Sequence, residues 1–159
     1  MSKHKHAQLN PWNDADNLLA ALAQVGRDDI ADLTTELIAL LAHEDADIRE
    51  EAMRALFVRG ISVAFRSRAI ASLGTDPTPE VRAVSAYALA ATSSTLTLDE
   101  DTARLVGVLE RADEDAHVRA TAYDCLLLID RRPQVSFGPG EFDAARDADW
   151  GWTRQVSAR

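Results

Sequence analysis

A segment that recurs three times constrains the fold of this 159-residue chain more than any other feature. Each copy starts at a β-branched residue, followed at once by Arg, then by small residues four and seven positions on and by Leu at the eighth. The copies start at Ile48, Val81 and Val118, which gives periods of 33 and 37 residues. Such periods are typical of helical repeat arrays. Offsets 0, 4, 7 and 8 share one side of an α-helix, so each copy predicts a buried helical stripe.

An amphipathic stretch precedes each copy, so each repeat is predicted to be two helices joined by a short turn. Its apolar positions are Ile30, Leu33, Leu37, Leu40 and Leu41, then Phe65, Ala69, Ile70 and Leu73, then Leu105, Val106, Val108 and Leu109. Thr78 and Pro79 are typical of a capped helix start, and Asp45 and Asp115 can cap the other two copies. The pattern therefore predicts an all-α chain.

The repeated pattern resembles the HEAT repeat, in the short form found in HEAT-like proteins of the phycobilisome-lyase type. The resemblance covers residues 28–130 and departs from the family's small residue, Ala, only at Ser85 and Cys125, both also small. It implies a right-handed α-solenoid, a superhelix of three helix pairs, with a concave surface of the kind that binds other macromolecules. The single domain would comprise a cap helix at 12–26, repeats at 28–60, 61–92 and 98–130, and a C-terminal tail at 131–159.

The repeated arginines are Arg49, Arg82 and Arg119. A structural ladder is favoured over a row of phosphate-binding groups, because the resemblance implies that each Arg pairs with an acid or a carbonyl of the next repeat. A guanidinium suits this role because it is a planar, permanently charged donor. The acids expected to serve as partners are Asp45, Asp47, Glu80 and Asp115.

The side of each repeated helix opposite the buried stripe is predicted to bind a partner protein. It should be polar if it met only water, yet it carries aromatic and apolar residues beside charged ones, as binding hot spots do. Two alternatives stay open: the C-terminal tail covers this side, or the stripe is rotated by one position. The candidate partner-binding residues are Glu50, Arg54, Phe57, Tyr87, Tyr123, Asp124 and Leu127.

Charge is distributed unevenly along the chain, whose formal net charge is −9. Many acids lie at the predicted turns, and stacking would bring them to one edge as an acidic rim. The rim would steer a basic partner, although helix capping and solubility explain part of it. A nucleic-acid partner is disfavoured, since only residues 52–98 are clearly net positive. The rim residues are Glu44, Asp45, Asp47, Asp113, Glu114 and Asp115.

No catalytic or cofactor-binding motif is found in the sequence. The one cysteine, Cys125, falls at a small core position, and His4 and His6 lack a third metal ligand. We therefore expect no catalytic residue, no metal and no cofactor. With neither a long apolar run nor a secretory signal, we also expect a cytoplasmic monomer without membrane contact.

The tail at 131–159 contains four of the nine aromatic residues, which predicts that it folds back over the last repeat. A docking peptide is the alternative.

Three functions stay open. The first is a non-catalytic protein-binding module, most concretely a small acidic inhibitor or immunity-type protein that occludes a basic partner such as a toxin. The second is a HEAT-like enzyme, either a DNA glycosylase, which needs a cationic groove, or a bilin lyase. The third is a scaffold or regulatory subunit, which would be favoured by two simultaneous partners on its two faces.

Overall fold

The computed structural model describes residues 15–59, 65–94, 96–135, 137 and 140–158, without the side chains of 27–32, 58 and 59. These ranges contain nine α-helices, one π-helical segment and no β-strand, which confirms the predicted all-α class. The α-helices are α1 Ala15–Ala23, α2 Arg27–Leu40, α3 Ala46–Met53, α4 Arg66–Thr75, α5 Pro79–Thr92, α6 Leu98–Glu110, α7 Ala116–Ile129, α8 Ala144–Asp147 and α9 Trp150–Ser157. The π-helix, Arg54–Arg59, continues α3 without a break.

Two of the three repeated helices begin at the predicted caps. The carboxylate of Asp45 accepts from the backbone N–H of Asp47, and that of Asp115 accepts from the N–H of His117. At α5, however, the Thr78 hydroxyl caps nothing and instead accepts a hydrogen bond from an arginine of α3. Thr78 therefore occupies the predicted N-cap position before Pro79, but its hydroxyl does not make the expected capping bond.

The predicted pairs are present: α2 packs on α3 and its π-helical extension, α4 on α5, and α6 on α7. The second helices also contact one another in order, α3 with α5 and α5 with α7. A buried ion pair between Arg66 and Asp101 joins α4 to α6, and the Ser93 hydroxyl donates to Asp101 at 2.6 Å. These contacts are those of packed helix pairs; the right-handed solenoid and its repeat boundaries stay predictions.

The repeated stripe forms the centre of the packing. Ile48, Val81 and Val118 are at most 1% exposed. The small residues at the fourth and seventh offsets have no exposed surface, so the second helices can approach one another closely; these residues are Ala52, Ala55, Ser85, Ala88, Ala122 and Cys125. The Ser85 hydroxyl is satisfied within its own helix by the carbonyl of Val81. The predicted buried stripe is confirmed.

Helix α1 covers the first pair at the N-terminal side. It packs on α3 through the buried Leu18 and Leu22. It spans nine residues of the predicted cap helix at 12–26, of which residues 12–14 lie outside the described residues. His4, His6 and the boundary between the first two predicted repeats lie outside them too.

The C-terminal tail packs against the last pair. The Tyr123 ring stacks on Phe142 and meets Trp152 edge-on, both at 5.9 Å between centroids. The Trp152 indole donates to Asp130 at 2.8 Å, and the Arg132 guanidinium lies 4.5 Å from the centroid of that indole. Helix α9 also contacts α6. The prediction that the tail folds back over the last pair is confirmed for the described residues.

Candidate partner-binding surface

Three of the seven predicted contact residues are inside the protein. Phe57, Tyr123 and Leu127 are 0%, 5% and 4% exposed, so the expectation that they lie on an open face is wrong. Tyr123 and Leu127 belong to the apolar cluster that includes the tail residues Phe142 and Trp152. The tail therefore covers the C-terminal end of the predicted face, which was one of the two open alternatives.

Phe57 is buried for a different reason. It packs edge-on against Phe65, with centroids 6.3 Å apart, in the apolar cluster of the first two pairs. It also lies in the π-helix, where hydrogen bonds join residues five apart. The face was assigned with a period of 3.6 residues, and that period does not hold after Arg54.

The solvent-facing line of the second helices runs through the sixth position of each copy. These positions are Arg54, Tyr87 and Asp124, which we call the central row; Tyr87 is 36% exposed and the other two are half-buried. The fifth positions of the three copies are all buried: Met53, Ala86 and Tyr123. Because α3 contacts α5 and α5 contacts α7, the structure places the three central-row residues on consecutive neighbouring helices.

Arg54, the first residue of the central row, is held in position by two glutamates. The Arg54 Nη2 donates to Glu50 Oε1 at 2.5 Å, and its Nε lies 3.4 Å from Glu51. The pKa of the Tyr87 hydroxyl is raised chiefly by burial, then by Cys125 and Asp124, while Arg54 lowers it. Arg54 and Asp124 thus act in opposite senses on the ionisation of the Tyr87 hydroxyl.

Asp124 completes the central row with an unused acceptor. Its Oδ1 is buried and has no hydrogen-bond partner among the described residues. Burial raises its carboxyl pKa, and a hydrogen bond from the Val135 backbone opposes that rise. A buried acceptor left unpaired costs about 1–3 kcal/mol, and none of the described residues offsets that cost at Oδ1.

Two exposed apolar side chains extend the central row and were missed by the sequence reasoning. Leu128, 47% exposed, follows Asp124 by one helical turn, and Val135 is similarly exposed. Leu128 could have been found from the sequence. It lies ten positions after Val118 and so continues the line of Ala120 and Asp124, which lie two and six positions after it. Val135 could not, because it lies after α7, outside the repeated helices, and only the fold brings its backbone to Asp124.

Two of the repeated arginines, Arg49 and Arg82, join consecutive helix pairs. Arg49 binds Asp76 through two hydrogen bonds of 2.9 and 3.0 Å and also donates to the Thr78 hydroxyl. Its Nη1 donates to the carbonyls of His43 and Glu44 in the turn before its own helix. Arg49 therefore connects the turn before α3 to the turn before α5.

Arg82 repeats this connection one pair further on. Its Nε and Nη2 donate to Glu114 Oε1, at 3.1 and 2.6 Å, and its Nη1 donates to the Asp76 carbonyl. Arg119, in the last copy, donates to the Leu109 carbonyl at 3.0 Å. The expected acidic partners are wrong, since hydrogen bonds from these arginines reach none of them: Asp45, Asp47, Glu80 and Asp115. The acids that the arginines bind are Asp76, in the turn before α5, and Glu114, in the turn before α7.

This ladder places the three inter-helix turns along one edge, because each turn is bonded to the next. Of the six residues predicted as an acidic rim, Asp45 and Asp115 cap helices and Glu114 is bonded to Arg82 and Arg111. The other three, Glu44, Asp47 and Asp113, are exposed. Their side chains have no hydrogen-bond or ion-pair partner in the described part of the chain, and the same is true of the exposed Glu80 at the start of α5.

Groups that could perform covalent or metal chemistry are not assembled in the described residues. The Cys125 thiol is buried, and burial raises its pKa well above the ordinary range, which keeps it protonated. Within the described ranges no three His, Cys, Asp or Glu side chains are grouped to hold a metal ion. None of the described helices combines the length and apolar character needed to cross a membrane.

Comparison with known proteins gives no relative of this chain. No family model, no curated protein and no solved structure matches it. The likeness to HEAT repeats therefore rests on the repeated residues themselves.

Proposed function

We propose that this chain is a non-catalytic binding protein, a short HEAT-like solenoid that occludes a basic partner protein, such as a toxin that an immunity-type inhibitor would neutralise. The observation that carries the proposal is the arginine ladder, which aligns the acidic turns at one edge. There Glu44, Asp47, Glu80 and Asp113 are exposed and none is used by the fold.

The acidic edge would act during approach of the partner. Like charges on one edge add their potentials, and such fields raise association rates more than they lower dissociation rates. A basic partner would thus be drawn to the turns before it makes close contacts.

The central row would act after approach. Tyr87 offers an exposed aromatic ring, and Arg54 and Asp124 offer half-buried charged groups on the neighbouring helices. Aromatic and arginine side chains dominate interface energies when they are surrounded by groups that exclude water. Leu128 would supply part of that apolar surround.

The two roles can be separated by kinetics. The full chain is first used to capture its partner from native lysate, and the product of the neighbouring gene is tested for binding. Association and dissociation rates of the complex are then measured over a series of salt concentrations. The double variant Glu44→Lys/Asp113→Lys should slow association about tenfold or more at low salt with little change in dissociation. The control Asp16→Lys/Asp99→Lys makes the same change in net charge away from the turns and should slow it much less.

Tyr87→Ala should act on the complex in the opposite way. It should speed dissociation at least tenfold and leave the association rate within about twofold. Equal effects of both charge variants, or no effect of Tyr87→Ala, would contradict the assignment of these surfaces. Release of alkylated bases from DNA, or transfer of a bilin to an apoprotein, would overturn the non-catalytic proposal altogether.

A further inference from the structure

Two shallow grooves flank α4 on the side formed by the first helices, the first mainly apolar and the second of mixed polarity. One lies between α4 and α6 and encloses about 320 Å³; it is lined by Ile70, Leu73, Arg104, Gly107, Val108 and Arg111. The other lies between α2 and α4, encloses about 240 Å³, and includes Ile38, Leu41 and Arg68. Neither groove contains a residue of the central row, so this side is a separate surface.

Gly107 at the floor of the first groove has no explanation within the fold. It lies inside α6, where glycine costs roughly 0.5–1 kcal/mol relative to alanine. A Cβ built on it would meet no side chain, and no backbone of another described element, within 4 Å. Packing within the chain therefore does not require glycine. The missing side chain instead leaves the floor open to close approach from outside.

Three arginines border the grooves on a chain whose net charge is −9. Arg104 and Arg111 border the first groove, and each has only a partly exposed ion pair, with Glu100 and Glu114 respectively. Glu114 binds Arg82 through Oε1 and Arg111 Nη2 through Oε2, so one carboxylate is shared by two guanidinium groups. Arg68, at the second groove, is exposed and has no ion-pair partner in the described ranges.

We propose that the groove between α4 and α6 binds an amphipathic helix of a second protein that is apolar on one side and acidic along its edges. Arg104 lies on α6 and Arg111 is the residue that follows it, seven positions on, a spacing of about 10.5 Å along a helix axis and close to two turns of a helix lying alongside. Glutamates at positions i and i+7 of such a helix would reach both arginines. Leucines at i+3 and i+4 would fall between them onto Ile70, Val108 and the open floor at Gly107.

The proposal does not rest on the basic partner or on the central row. It assigns an acidic ligand to the opposite layer of helices, so both proteins could be bound at once. Such double occupancy is what distinguishes a scaffold or regulatory subunit from a simple inhibitor.

The test uses the full chain and a fluorescently labelled synthetic helix with glutamates at i and i+7 and leucines at i+3 and i+4. A matched peptide carries lysine in place of glutamate. We expect the acidic peptide to bind with a Kd at least tenfold lower than the basic one. Gly107→Leu, which fills the floor, should weaken binding at least tenfold, whereas the exposed substitution Ala145→Leu and the variant Tyr87→Ala should change it less than twofold.

The variant Gly107→Ala tests the same groove without introducing a large side chain. It should raise the thermal midpoint of unfolding, because alanine is the better helix former, and still weaken peptide binding. Equal affinity for both peptides, no measurable binding of the acidic one, or binding that Gly107→Leu leaves intact would overturn the proposal. Binding to phosphatidylserine vesicles without binding to the acidic peptide would assign the groove to a lipid surface and overturn it as well.

Discussion

Arg49 and Asp76 face each other in a two-bonded ion pair that joins α3 to the turn before α5, with 2.9 Å from Nε to Oδ2 and 3.0 Å from Nη2 to Oδ1. Burial by itself would raise the pKa of the Asp76 carboxyl. The hydrogen bonds from Arg49 and from the Thr78 backbone outweigh it, and the pKa is below its ordinary value. The ladder is thus held by a carboxylate that must stay ionised.

This pair should make stability depend on pH in the acid range. Because the folded-state pKa of Asp76 is below the unfolded value near 3.8, its contribution is present above that pH and is lost as pH falls through the folded-state pKa. The free energy of unfolding should therefore fall between about pH 5 and pH 2 more steeply for the wild type than for Asp76→Asn. Urea titrations over this range measure both slopes, and equal slopes would contradict the prediction.

The two tyrosines of the repeated helices should respond in opposite ways to truncation. Tyr123→Ala removes a ring packed between Phe142 and Trp152 and should cost roughly 3–5 kcal/mol of unfolding free energy. Tyr87→Ala trims an exposed ring and should cost under about 1 kcal/mol. Urea denaturation of both variants tests this, and a similar loss for both would show that the central row is part of the core.

Arg131 should be replaceable with a gain in stability. It follows α7 in the left-handed region, with φ of 57°, and its N–H and that of Arg132 close the helix end on Leu128 and Leu127. A residue with a Cβ pays about 1–2 kcal/mol for this conformation. Arg131→Gly should recover about 1 kcal/mol, a rise in Tm of about 2–4 °C for a chain of this size.

The control for that gain is Arg131→Ala. It removes the same charge but keeps the Cβ, so the Tm should not rise. A rise of the same size in both variants would mean that charge, and not backbone conformation, is responsible.

Cys125 should be unreactive in the native protein. Its thiol is buried and its pKa is raised, so the thiolate that attacks disulfide reagents is scarce at pH 8. Reaction with an aromatic disulfide reagent should be at least about a hundredfold slower in buffer than in about 6 M guanidinium chloride, which unfolds small domains. Fast native labelling would show that the central helices open readily.

The repeated sequence was sufficient to predict much of the fold. Small residues at the fourth and seventh offsets predicted close helix packing, and all six are buried. The arginine after each β-branched residue predicted links between pairs, and Arg49 and Arg82 form them. The first follows from local periodicity, which one helix can express by itself, whereas the second is what the resemblance to HEAT repeats implied.

The exposed face could not be predicted in the same way. A second helix here meets its own partner and further helices beside it, α1 and α5 for α3, and α3 and α7 for α5, so its buried sector is wider than the stripe of an ordinary surface helix. Met53 and Ala86 lie in that wider sector. Phe57 is moved off the predicted face by the π-helix. Tyr123 is covered by the C-terminal tail, whose position depends on contacts between residues more than twenty apart, such as the hydrogen bond from the Asp149 N–H to the Tyr123 hydroxyl.

The packing of α9 on α6 also sets how such a protein can change in length during evolution. A new helix pair added after α9 would find Trp152 and Val156 already occupying the apolar surface that it needs. Duplication of a pair upstream of residue 131 would leave that terminal seal intact. Longer and shorter descendants of this architecture should therefore differ by internal insertions or deletions and share the same ending.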